Sequence, residues 1–96
     1  MTRIRAEANN EHAQFNLGGL FEQGRGVAKD EAAAAAWYRK AAVQGHASAQ
    51  HNLGLMLGQG RGVANDEAGA MAWIRKAAGQ GQPKAIAFLD ASDARA

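Results

Sequence analysis

The segment from Asn10 to Gly45 is followed at once by a second version of itself, His46 to Gly81, with 23 identities over 36 ungapped positions. The run Gln23-Gly24-Arg25-Gly26-Val27-Ala28 returns unchanged as Gln59-Gly60-Arg61-Gly62-Val63-Ala64. A period of this length means that one supersecondary unit has been duplicated. A unit so small buries its apolar face only by stacking on a neighbour, which points to an all-α solenoid rather than a closed globule.

Within the unit, Ala13, Leu17, Leu20 and Phe21, repeated as Ala49, Leu53, Met56 and Leu57, form the stripe of a short amphipathic helix, helix A. Gly24, Gly26, Gly60 and Gly62 end it, because glycine accepts the left-handed conformation that follows a helix C-terminus. Asp30 and Asp66 then stand as N-caps of helix B, with Glu31 and Glu67 in its first turn. Alanine-rich runs around Trp37 and Trp73 permit close helix approach, and the recurrence of both tryptophans in register reads as inter-helix core. Gly45 and Gly81 close helix B, and Asn9 holds the equivalent place at the start. The chain thus divides into an N-terminal cap segment (3–9), repeat one (10–45), repeat two (46–81) and a C-terminal capping helix (82–92). Pro83 opens this last helix, and Asp90 replaces the small Gly18 and Gly54.

A chain of 96 residues buries roughly 60 to 70% of its unfolded surface, so the core is modest. Lysine and arginine number 11 against 9 acidic residues, a net charge of +2 spread along the chain. That gives no basic patch for nucleic acid. No cysteine is present, so disulfides and thiol chemistry are excluded, in keeping with a reducing compartment. The basic start Met1 to Arg5 precedes no apolar run, and no stretch suits membrane insertion; the expected location is cytoplasmic, or periplasmic had a signal been removed.

The pattern Ala-Gln-x-Asn-Leu-Gly, Gly-x-Gly-Val-x-x-Asp, Ala-x-x-Trp-x-Arg-Lys-Ala-Ala-x-x-Gly resembles the Sel-1-like repeat, a relative of the tetratricopeptide repeat. The resemblance covers residues 10 to 81 and implies a right-handed superhelix of antiparallel helix pairs whose members act mostly as protein adaptors. Departures are Leu20-Phe21, Met56-Leu57 and Ile74, where aromatics are usual.

Chemistry finds little purchase. The Gly24-Arg25-Gly26 and Gly60-Arg61-Gly62 loops are too short for a phosphate loop. His12, His46 and His51 lack the i, i+4 spacing of a helical metal pair. No nucleophile has a motif-defined base, and the Ser-x-x-Lys motif of β-lactamase-like relatives is absent. No cofactor is expected.

Positions free to serve a ligand differ between copies: Phe15 against His51, Gly19 against Leu55, Glu22 against Gly58. By the resemblance these lie, with His12, Ser48 and Lys84, on the concave face. Phe15 and Leu55 read as an exposed anchor or as surface covered by the caps; Asn16 and Asn52 as loop braces or groove contacts. The expected function is a non-enzymatic module binding a peptide segment or helix of a partner protein. A toxin-neutralising role stands as the alternative and an enzyme comes last. Self-association by end-to-end stacking or helix exchange is a further expectation.

Overall fold

The computed structural model describes residues 9–95, with side chains through Ala91; residues 3–8 of the expected N-terminal cap lie outside the described residues. Five helices of 13 residues follow in order: α1 (Glu11–Gln23), α2 (Glu31–Val43), α3 (Ala47–Gln59), α4 (Glu67–Gly79) and α5 (Pro83–Arg95). Among the described residues there is no strand. Each helix packs antiparallel on the next, so α1, α3 and α5 are three A helices and α2 and α4 two B helices.

Local rules set the boundaries. Each A helix has a different side chain at its N-cap: Asn10 Oδ1 accepts from the amides of His12 (2.8 Å) and Ala13 (3.1 Å), His46 Nδ1 from Ala49 (3.1 Å), and Gln82 Oε1 from Ala85 (2.8 Å). Both B helices use aspartate, with Asp30 bonding the Ala33 amide at 3.0 Å and Asp66 that of Gly69 at 2.9 Å. Gly24 and Gly60 adopt φ of 69° and 65°, the left-handed cap that lets the next amides return to Leu20 and Met56. Bonds from Asp30 N to Phe21 O and from Asp66 N to Leu57 O, both 2.9 Å, close each hairpin.

The interior is built on α2 and α3. Ala34, Ala35, Tyr38, Ala41 and Ala42 of α2 meet Ala49, Leu53, Met56 and Leu57 of α3, all buried, together with Ala70 of α4. A smaller cluster of Ile74, Ala77 and Ala85 seats α5, with Leu55, Ala78 and Leu89 against it. Burying Leu53 or Met56 contributes about 1.5–3 kcal/mol each. Thin alanine faces suffice because the backbones approach so closely: a Cβ on Gly18 would stand 2.6 Å from the Tyr38 ring, and one on Gly54 2.6 Å from Ile74 Cγ1.

Here the structure departs from one expectation. Trp37 and Trp73 are half-exposed, lying under Lys40 Nζ (4.4 Å to the ring centroid) and Lys76 Nζ (5.2 Å). The face turned to the hairpin partner runs through 34, 38 and 41, and through 70, 74 and 77. A side chain one position before Tyr38 or Ile74 is rotated about 100° off that line. Recurrence of the tryptophans reflected a shared environment at the edge of the core.

The junction between repeats is stitched by glutamine and arginine. Gln44 Nε2 donates to Gln14 Oε1 (2.7 Å) and to the Asn9 carbonyl (3.3 Å); one repeat later Gln80 Nε2 does the same with Gln50 Oε1 (2.9 Å) and the Gly45 carbonyl (2.9 Å). Asn9 therefore occupies the place that Gly45 holds. Gln50 also donates to the Ala42 carbonyl at 3.1 Å.

Candidate partner-binding surface

Phe15, Asn16, Gly19, Glu22, Tyr38 and Asn52 come together in a cleft of about 410 Å³ that Leu20, Gln23 and Arg25 complete. The cleft rests on Tyr38, whose ring lies over Gly18 and whose hydroxyl donates to Glu22 Oε1 at 2.6 Å. Burial and then the Glu22 carboxylate hold the Tyr38 hydroxyl far above its ordinary pKa, so it stays protonated as a donor. Glu22 in turn meets Arg61 Nη2 at 3.3 Å, while Arg61 Nη1 reaches Glu31 Oε2 at 3.0 Å and Nε donates to Gln59 Oε1 at 2.6 Å. One arginine from the second loop thus clasps both helices of the first hairpin. Gly62 beside it presses on the Glu31 carbonyl so closely that a Cβ would overlap it. Arg25, the counterpart of Arg61, is exposed and bonds Gln23 Oε1 at 3.3 Å.

Phe15 is half-buried. Its ring stacks on His46 (centroids 4.6 Å apart, 24° between planes) and stands 5.7 Å from Tyr38, so the cover over it comes from the N-cap of α3. His12 lies exposed at the rim, edge-on to His46 at 5.1 Å. His46 is kept below the ordinary histidine pKa by partial burial and then by His12, which suits a neutral ring whose Nδ1 serves as acceptor.

Of the other positions read as groove residues, His51 is buried on α3, its Nδ1 3.3 Å from Asn52 Oδ1. Burial lowers its pKa, with Lys84 adding to the effect. Ser48 is half-buried and its Oγ accepts from Gln82 Nε2 at 3.4 Å, while Lys84 is exposed on α5. Neither Asn16 nor Asn52 is placed as a loop brace. That work falls to Asn65, whose Nδ2 donates to the Gly58 carbonyl at 2.7 Å. Leu55 lies apart, half-buried in a second cleft of about 200 Å³ with Gly54, Gly58, Gln59, Glu67, Ala70, Met71, Ile74 and Phe88. The ten positions thus fall on several surfaces.

Sequence reasoning missed the roles of Arg61 and the glutamine pairs. Their signal was present: Gln14, Gln44, Arg25 and Glu31 each recur after 36 positions as Gln50, Gln80, Arg61 and Glu67. Polar residues repeated alongside an apolar stripe serve the junction. Among the described residues no buried side-chain polar atom lacks a partner, and no three His, Cys, Asp or Glu side chains gather as metal ligands. No described helix is long and apolar enough to cross a membrane.

Stacked helical hairpins tied by conserved-in-period polar bonds define the class: an α-solenoid of short helical repeats. The model of the Sel1 repeat matches residues 11–46 and 47–82, and the chain belongs to the Sel1-repeat family, whose repeats generally serve protein interaction. Among solved structures it is similar to a Sel1 repeat protein from Oxalobacter formigenes (45% identity, TM-score 0.78, covering 80% of this chain and 32% of that one). It is also similar to c5321, a protective antigen of uropathogenic Escherichia coli with an SLR fold (44%, TM-score 0.78, 82% and 17%). A third is the Helicobacter pylori cysteine rich protein B (30%, TM-score 0.79, 83% and 60%). The chain spans less than two thirds of each of these relatives. No curated protein sequence matches it.

Proposed function

We propose that the chain is a non-enzymatic adaptor module that holds a segment of a partner protein in the cleft over Tyr38. The supporting observation is the convergence there of five positions that the repeats leave free or polar: Phe15, Asn16, Gly19, Glu22 and Asn52. The cleft offers an aromatic edge, an amide pair able to bond an extended backbone, and a carboxylate already engaged by Arg61, the mixed surface suited to a peptide strand or helix. His12 lies beside it on the rim, edge-on to His46.

Asn16 is exposed and supports no packing, so Asn16→Glu adds a charge beside Glu22 without touching the core. Affinity capture with wild type, Asn16→Glu and a control on the opposite surface, Val43→Glu (Val43 is 67% exposed), should lose a bound protein with the first variant alone. Equal capture by all three, with helicity intact by circular dichroism, would refute the placement of the site.

A further inference from the structure

The three A helices carry their N-caps at equivalent positions, 36 residues apart: Asn10, His46 and Gln82. Two of these are amides, whose oxygens accept whatever the pH. The third accepts from the Ala49 amide through Nδ1 at 3.1 Å, and an imidazole nitrogen is an acceptor only while the ring is neutral. Protonation turns Nδ1 into a donor that faces a donor. It also sets a positive charge at the N-terminus of α3, the positive end of the helix dipole. The cap bond and a charged ring therefore exclude one another.

The same ring has a second role. It stacks on Phe15, with centroids 4.6 Å apart and 24° between planes, and Phe15 stands 5.7 Å from Tyr38 as a wall of the cleft. His46 does not line the cleft; it braces that wall. The backbone here is held independently, since the His46 amide donates to the Ala41 carbonyl at 3.1 Å and the Gln50 amide to the His46 carbonyl at 3.0 Å. Loss of the side-chain cap thus moves a ring without unwinding a helix.

Among the described residues, the groups that act on the ring's charge are both on α1: Glu11 favours the imidazolium, and His12, edge-on at 5.1 Å, opposes it. The face of Phe15 also attracts a cation. Partial burial is the largest influence and keeps the ring neutral further into acid than a free histidine. Once charged, the ring has two N–H groups to satisfy, and the cap site offers Nδ1 only another donor. Water is reached by turning outward from a position already half-exposed.

We propose that His46 is a proton-operated latch on the cleft over Tyr38: the neutral ring caps α3 and braces Phe15, whereas the imidazolium swings out to water and leaves the phenyl ring free to turn. The cleft thereby has one shape near neutrality and another in acid. The latch belongs to the chain itself; only its use, admitting or releasing a protein segment, rests on the adaptor reading.

The test is an NMR titration of the full chain, without any partner, from pH 8 to 4.5 with circular dichroism alongside. The His46 Cε1 proton should report a midpoint below 6.5. At that midpoint the Ala49 amide proton should move upfield and its protection from exchange fall about fivefold, the worth of an N-cap bond. The Phe15 ring protons should shift with it, and the NOEs between the Phe15 and His46 rings should vanish. His46→Asn installs the cap that Asn10 already provides for α1, so it should fold, hold the Ala49 amide at a constant shift and silence the Phe15 transition. His12→Asn should keep every transition and raise the midpoint, because His12 opposes charge on the ring.

Ring-to-ring NOEs that persist in acid, or an Ala49 amide that stays still while His46 titrates, overturn the proposal. So does a Phe15 transition that survives His46→Asn and therefore belongs to His51 or a carboxylate, or a His46 that takes up no proton before helicity is lost. None of these outcomes bears on capture by wild type against Asn16→Glu at neutral pH, where the adaptor reading is decided separately.

Discussion

The same substitution at two glycines of α3, four residues apart, should change stability in opposite directions. Gly54 is in the middle of the helix, where alanine is favoured over glycine by about 1 kcal/mol on intrinsic propensity. Propensity alone therefore says that Gly54→Ala stabilises. The packing says otherwise: the added Cβ would stand 2.6 Å from Ile74 Cγ1 and 2.9 Å from the Ala70 carbonyl oxygen. Carbon atoms rest about 3.5–4.0 Å apart, so α3 and α4 must separate by nearly an ångström. Ile74 is 1% exposed and has nowhere to turn, and a backbone carbonyl cannot rotate away. Overpacking of this kind costs about 1–3 kcal/mol, and with a backbone atom in the way the upper end applies. The net loss is about 2 kcal/mol, a fall in Tm on the order of 10 °C for a domain of this size. At Gly58 the nearest atom to a new Cβ is the Ala70 Cβ at 3.5 Å, an ordinary contact. Gly58→Ala should gain about 0.5–1 kcal/mol and raise Tm by a few degrees. Thermal and urea melts followed by circular dichroism read both. A rise in Tm for Gly54→Ala, or the same sign for the pair, would refute the reasoning.

Arg61→Ala should cost about 1 kcal/mol in urea melts, since its contacts to Glu22, Glu31 and Gln59 are partly solvent-screened; Arg25→Ala, with one exposed bond to Gln23, should stay within about 0.5 kcal/mol of wild type. His46 and His51 both have folded pKa values lowered from 6.5, so the unfolded chain takes up protons first on acidification. Their contribution is fully present above 6.5 and is lost as pH falls from there toward the folded values. Urea midpoints between pH 8 and 5 should show that decline, and His46→Asn, which puts a capping oxygen in place of Nδ1 and removes the titrating ring, should flatten it in part; an unchanged slope would remove His46 from the account.

The fold was legible because helix periods, caps and turn glycines are local matters. Asp30 and Asp66 cap the helices that the sequence indicated, and Gly24 and Gly60 end theirs. Which side chain fills the space between helices was less legible, because it depends on rotation of each helix about its axis by less than one residue. Trp37 and Tyr38 are neighbours with equal claims on the interior by composition, and only the approach of Gly18 decides between them. The surface was harder still. Mismatches between copies were read as ligand positions one by one, whereas Gly19, Glu22 and Tyr38 change together because they touch. Phe15 gave no sign in sequence that a histidine cap 31 positions later would lie over it.

The bonds that close the junction between the hairpins join residues 30 to 39 positions apart: Gln14 with Gln44, Gln50 with Gln80, Glu31 and Glu22 with Arg61. Such a chain searches for its contacts over little more than one unit at a time, the low contact order that favours fast folding. Assembly can start at either hairpin and spread like a zip, and among the described helices α3 is the one most covered, packed between α2 and α4. Amide exchange should therefore be slowest in α3 and quickest toward α1 and α5, a gradient of protection along the chain in place of a single protected centre.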